Sequence, residues 1–132
     1  MSEQTNQTVT ISVDLKKYRL RIHKTTLSLL GMPKYVQLLV SPESMMVAIR
    51  GVDNKDRYGH RVNLSVLSSD NSYELYSKQL IEKLCALITD LDTSYNYRLT
   101  GEFITDENAA VFSLNTLQKI ERDRRKFCVK AE

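Results

Sequence analysis

Between Thr8 and Asp14 every second residue is apolar: Val9, Ile11 and Val13 alternate with Thr8, Thr10, Ser12 and Asp14. Successive side chains of an extended chain point to opposite sides, so this period predicts a strand with one buried face. Leu15-Lys16-Lys17 reads as a turn, after which Tyr18, Leu20 and Ile22 resume the apolar face and Arg19, Arg21 and His23 take the other. The period then changes. Leu27 and Leu30 have helical spacing, while Gly31 followed by Met32-Pro33 supplies a left-handed stop and a residue that cannot continue a helix. The helix predicted from Thr25 to Leu30 is therefore very short. "KYVQLLV" and "MMVAIR", joined by Ser41-Pro42-Glu43-Ser44, read as a hairpin.

Gly51 to His60, polar and bounded by glycine, is the best linker candidate, and after it the same order of elements recurs. "HRVNLSVL" alternates at Val62, Leu64 and Val66; Ser68 to Ser72 reads as a turn, and "YELYS" as a strand. From Lys78 to Leu91 the apolar positions Leu80, Ile81, Leu84, Cys85, Leu87, Ile88 and Leu91 fall on one side only of a helix, which puts Cys85 in the core. "YNYRLTGEF" and "AAVFSL" form a second hairpin around Thr105-Asp106-Glu107-Asn108. Shifting the chain by fifty-four positions lays Ile22-His23-Lys24 on Tyr76-Ser77-Lys78, Leu27 on Ile81 and Leu30 on Leu84. This reads as a degenerate internal duplication.

The expected fold class is α+β, mostly β: a disordered start at 1–7, a first ββαββ unit at 8–52, a linker at 53–60, and a second ββαββ unit at 61–115. Asn115 with Gln118 is a fair capping pair, so 116–132 reads either as a C-terminal helix buried through Leu117, Ile120 and Phe127 or as a basic tail.

Composition adds little until it is mapped along the chain. With 132 residues, 42% of them hydrophobic and 27% charged, a core can form without metal or disulfide support. Two cysteines with no CxxC pair give no disulfide framework and no zinc set, which points to a reducing, cytoplasmic setting. The polar opening "MSEQTNQT" does not resemble a secretory leader, and no apolar run approaches the length of a membrane span. The net charge of +3 is unevenly spread: residues 1–60 carry nine Lys/Arg against five Asp/Glu, and residues 61–118 carry four against eight. The remaining tail carries six against three, and a basic front with an acidic middle predicts two faces with different duties, or attraction between copies of the chain.

Lys16, Lys17, Arg19, Arg21, His23 and Lys24, joined by Arg50, are the candidate binding residues. Strand alternation would set them side by side, where they could neutralise the phosphates of double-stranded DNA and release its counterions. A merely solvated strand face is the plain alternative. Neither His23 nor His60 has a metal set or a nucleophile with an orienting acid around it in sequence, glycine-rich phosphate loops are absent, and Asp90, Asp92, Asp106 and Glu107 read as turn and helix-end residues. No enzyme, cofactor or metal is expected.

The stretch "VDLKKYRLRIHKTTLSLLG" followed by "YVQLLVSPESMMVAIR" resembles the swapped-hairpin barrel of the AbrB-type DNA-binding proteins, and two such units in one chain look like the tandem arrangement of MraZ and related transition-state regulators. Asp14 in the hairpin turn, Arg19 opening the second strand and Leu30-Gly31 ending the helix carry the likeness. Tyr18 stands where the family usually has glycine, and His23 where it usually has proline. The resemblance implies interleaved hairpins closing one barrel, an oligomer, and a DNA-binding regulator. The rival expectation is an adaptor or inhibitor that binds a protein on the same scaffold.

Overall fold

The computed structural model describes residues 7–52, 59–63 and 71–120. β1 (Gln7–Asp14) and β2 (Arg19–His23) lead into α1 (Lys24–Leu29), β3 (Tyr35–Ser41) and β4 (Met46–Val52). β5 (Gly59–Arg61) and β6 (Ser72–Tyr76) then lead into α2 (Lys78–Leu87), β7 (Asn96–Ile104), β8 (Ala109–Ser113) and β9 (Gln118–Ile120). One sheet runs through both halves of the chain in the order β5-β3-β4-β8-β7-β1-β2-β6, with β9 beside β7. It curls into a nearly closed eight-strand antiparallel barrel, so the fold is α+β and mostly β, as the alternating pattern requires.

The buried side chains are those the period selects. Val9, Ile11 and Val13 of β1 and Leu20 and Ile22 of β2 meet Val36, Ile49, Leu99 and Phe112 inside the barrel. α1 has six residues, too few to hold a helix alone. It persists because Leu27 and Leu30 are buried and because the His23 ring Nδ1 accepts the Thr25 amide. Gly31, at φ +88°, and Pro33 end it at the predicted place. Ser77 caps α2 by accepting the Leu80 amide, and Leu80, Ile81 and Leu84 join the same core.

The pairing has a hidden regularity. Replacing each of β1 to β4 by the strand four later returns the same neighbours: β1–β7 becomes β5–β3, β3–β4 becomes β7–β8, and β2–β6 and β4–β8 map onto themselves. Irregular details repeat too. Ser77 donates to the Tyr18 carbonyl at 2.9 Å while Lys24 donates to the Asn71 carbonyl at 2.8 Å, and both acceptor residues are left-handed, at φ 55° and 63°. Leu114 donates to the Met45 carbonyl while Gly51 donates to that of Asn108, again with both acceptors left-handed, at φ 56° and 48°. The barrel therefore has a pseudo-two-fold axis. It leaves the wall where Arg21 faces Glu74 and where Ala48 faces Val111.

One pair is missing. The β1–β2 hairpin, laddered from Ile11–Ile22 to Asp14–Arg19, has no counterpart between β5 and β6 among the described residues. Residues 15–18 join β1 to β2, whereas 62–71 join β5 to β6. A slit of about 450 Å³ separates β5 from β6.

Several expectations need correction. Tyr18 lies in the turn rather than on the apolar face, is 39% exposed, and ends the alternation because its backbone is left-handed. α2 stops at Leu87 rather than Leu91: Ile88 is already extended, and Asp92 folds the next turn by accepting the Ser94 amide at 2.9 Å. Cys85 is exposed because the shortened helix buries a stripe centred on Leu80 and Leu84, with position 85 about a quarter-turn off it. Asn115 and Gln118 do not cap a helix. Asn115 sits in a single 3-10 turn, Leu114–Thr116, and Gln118 opens β9, while Phe127 and the rest of 121–132 lie outside the described residues. Of the proposed linker, Gly59 and His60 belong to β5, and 53–58 lie outside the described residues, as do 64–67 of the predicted strand and Ser68 to Asp70 of the predicted turn.

Candidate functional site

Arg19 and Arg21 do project together from the outer face of β2, but not as free cations. Antiparallel register sets Asp14 opposite Arg19 and Glu74 opposite Arg21. An Arg19 Nη2 lies 3.0 Å from Asp14 Oδ2, and Nη1 lies 3.5 Å from Glu74 Oε1, while Arg21 Nη2 lies 2.7 Å from Glu74 Oε2. Partial burial opposes the Arg19 charge, yet Glu74, a hydrogen bond with Tyr76 and Asp14 outweigh it and hold the guanidinium pKa above its ordinary value. Asp14 also closes the hairpin, accepting the amides of Lys16 at 3.1 Å and Lys17 at 3.2 Å. Two arginines facing two carboxylates form a nearly neutral network. Such a patch holds strands in register and leaves little charge for a phosphate.

The other predicted residues are dispersed. Lys16 and Lys17 are exposed in the turn at one end of β2, where Lys78 Nζ lies 5.8 Å from the centre of the Tyr18 ring and 3.9 Å from a Glu82 carboxylate oxygen. His23 and Lys24 lie at the other end of β2, with His23 engaged as the cap of α1. Arg50 is on β4, separated from β2 by β8, β7 and β1. The basic face expected from the sequence is thus split between two ends and two walls of the barrel, and neutralised at its centre.

The slit between β5 and β6 is the more distinctive feature. Alternation along an antiparallel strand sends the backbone groups of successive residues to opposite neighbours. Because Ser77 and Asn71 bond toward β2, Tyr73 and Leu75 do likewise, and Glu74 and Tyr76 turn their amides and carbonyls to the slit. On β5 the Val62 amide bonds to the Lys34 carbonyl, so His60 also faces β3, and Gly59 and Arg61 face the slit. One described hydrogen bond crosses the gap: the Tyr73 hydroxyl donates to the Arg61 carbonyl at 3.3 Å. Tyr35 and His60 line the slit from β3 and β5, and burial lowers the His60 pKa. A smaller cleft of about 210 Å³ continues beneath α2, between Leu38, Val40, His60, Leu80 and Lys83.

Among the described residues no group of three His, Cys, Asp or Glu is placed to hold a metal ion, and no helix is long and apolar enough to cross a membrane. Burial and Glu82 raise the Cys85 thiol pKa, which disfavours the reactive thiolate. Sequence reasoning missed Glu74 as the neutralising partner. The shift of fifty-four read from the sequence lays Arg21 on Leu75, whereas the pseudo-two-fold relation, which matches Tyr18 with Asn71 and Lys24 with Ser77, runs one residue off that shift along β2 and makes Glu74 the equivalent of Arg21, so the repeat did not reveal the partner. Searches against protein-family models, curated proteins and solved structures find no match for this chain.

Proposed function

We propose that this chain is a protein-binding module, an adaptor or inhibitor, rather than an enzyme. The observation that carries the reading is the slit, where two strand edges face each other without a ladder between them. Unpaired edges of this kind are templates for pairing with another chain. Glu74 and Asp14 add to the case, because they remove the central charges on which recognition of DNA would rest. The test is capture of partners from the source cell by the immobilised chain with and without nuclease. One protein retained after nuclease treatment supports the reading, and release of all bound material by nuclease contradicts it.

The reading as a cytoplasmic DNA-binding regulator keeps two observations in its favour. Lys16 and Lys17 are exposed in the same turn as Tyr18, whose ring has Lys78 nearby, and Tyr18 adopts the left-handed backbone at the position where the AbrB-type family has glycine. Gel-shift over a salt series decides it: retention that weakens steeply with salt supports DNA binding, and none at low salt removes it. Self-association would draw on the outer row of Leu39, Ala48 and Val111, which a mass measurement in solution checks.

A further inference from the structure

We infer that the slit between β5 and β6 takes an extended segment of a partner protein as an added strand, with apolar side chains at alternate positions and a carboxylate between them. This rests on the protein-binding reading and names its site and partner chemistry. Four backbone positions already aim at the slit: Gly59 and Arg61 from one side, Glu74 and Tyr76 from the other. The pseudo-two-fold relation shows what is lacking, since Ser12–Arg21, the equivalent of Arg61–Glu74, is a closed pair in the β1–β2 ladder. The Tyr73 phenol crosses the gap in its place by donating to the Arg61 carbonyl, a hydrogen bond that an entering segment must displace. A segment entering there would supply the missing amides and carbonyls to both edges, which is how strand addition gains affinity.

The side chains around the slit select the segment. Leu75 and the Tyr73 ring, opposite Leu20 and Ile22, point into the barrel, and His60, opposite Val36 on β3, points the same way, so apolar side chains at the guest's inward positions would pack on Leu75 and the Tyr73 ring. Arg61 is outward and exposed with no carboxylate within ion-pair distance among the described residues, because Glu74 is engaged by Arg19 and Arg21. An acidic guest residue beside Arg61 would complete that charge, whereas a basic one would face Arg61 unfavourably. Tyr76, 59% exposed at the rim, offers an aromatic face to the same segment.

The test uses the full chain and a short fluorescein-labelled peptide that alternates valine with glutamate, beside a counterpart with lysine for glutamate. Fluorescence polarisation should show the glutamate peptide bound and the lysine peptide at least about tenfold weaker. Arg61→Glu should reverse that preference. Tyr76→Pro removes one amide aimed at the slit while sparing those aimed at β2, and should weaken binding of either peptide by about tenfold, with thermal unfolding confirming that each variant folds. Absence of binding by both peptides, or equal binding by all three proteins, overturns the proposal. So does capture of a nuclease-resistant protein partner equally by wild type, Arg61→Glu and Tyr76→Pro, an outcome that leaves the protein-binding reading standing.

Discussion

Glu74 is the residue whose removal says most about the outer wall. It is shared by Arg19 and Arg21 in a half-exposed setting, so Glu74→Gln should lower stability by only about 1 kcal/mol, read as a modest shift of a denaturation midpoint. The same variant frees the Arg21 guanidinium and leaves Arg19 on Asp14, so Glu74→Gln with Asp14→Asn is needed to free both. If the two were a masked phosphate grip, the double variant would acquire DNA retention in a low-salt gel-shift; a register-holding role predicts none. A second residue sets a pH response. Burial lowers the folded-state pKa of His60, so between that value and the ordinary one near 6.5 the unfolded chain binds more protons than the folded one. Stability from this group is whole above the ordinary pKa and is lost as pH falls toward the folded value. Thermal melts over the range from about pH 7.5 to about pH 5 should slope downward on acidification, with a shallower slope for His60→Gln. At this scale the sequence was a partial guide. Alternation correctly put Arg19 and Arg21 on one face, but which carboxylates share that face depends on strands contributed from elsewhere in the chain. Asp14 was within reach of inference, since it and Arg19 flank a single turn.

Among the elements, β7 carries the tightest constraint. It pairs with β1 along one edge and with β8 and then β9 along the other. Between them the 3-10 turn interrupts the ladder, and the Thr116 hydroxyl fills in by accepting the Thr100 amide at 3.0 Å. Just before that break, Gly101 lies so close to β8 that a Cβ would sit 2.0 Å from the Val111 carbonyl oxygen and 2.7 Å from its carbon. Both atoms are backbone, so neither can rotate away. Gly101→Ala should therefore cost about 3 kcal/mol or more in chemical denaturation, or prevent folding. The short α1, both hairpins and the β7–β8 turn were legible because their signals are local: a glycine with a proline beyond it, or turn residues between two alternating runs. The end of α2 and the existence of β9 were not. Apolar residues at Ile88 and Leu91 continue the helical spacing, yet Asp92 and Ser94 form a competing turn. Leu117 to Ile120 have a helix-like pattern that is overridden by an available edge on β7.

At the largest scale the described residues form one barrel with a pseudo-two-fold axis, and among them one pair of strands is left apart. The repeated order of elements was visible in the sequence, but the interleaving was not, because alternation reports which face is buried and not which strand lies beside which. The unladdered slit lay further out of reach, since Val62 extends a strand pattern that the described part of β5 follows only to Arg61. Amide hydrogen exchange along β6 in the free protein tests this arrangement most directly. Protection should alternate, with Tyr73 and Leu75, bonded to β2, exchanging orders of magnitude more slowly than Glu74 and Tyr76, whose amides face the slit. Equal, strong protection of all four would mean that β5 and β6 are laddered together, and would contradict the open slit.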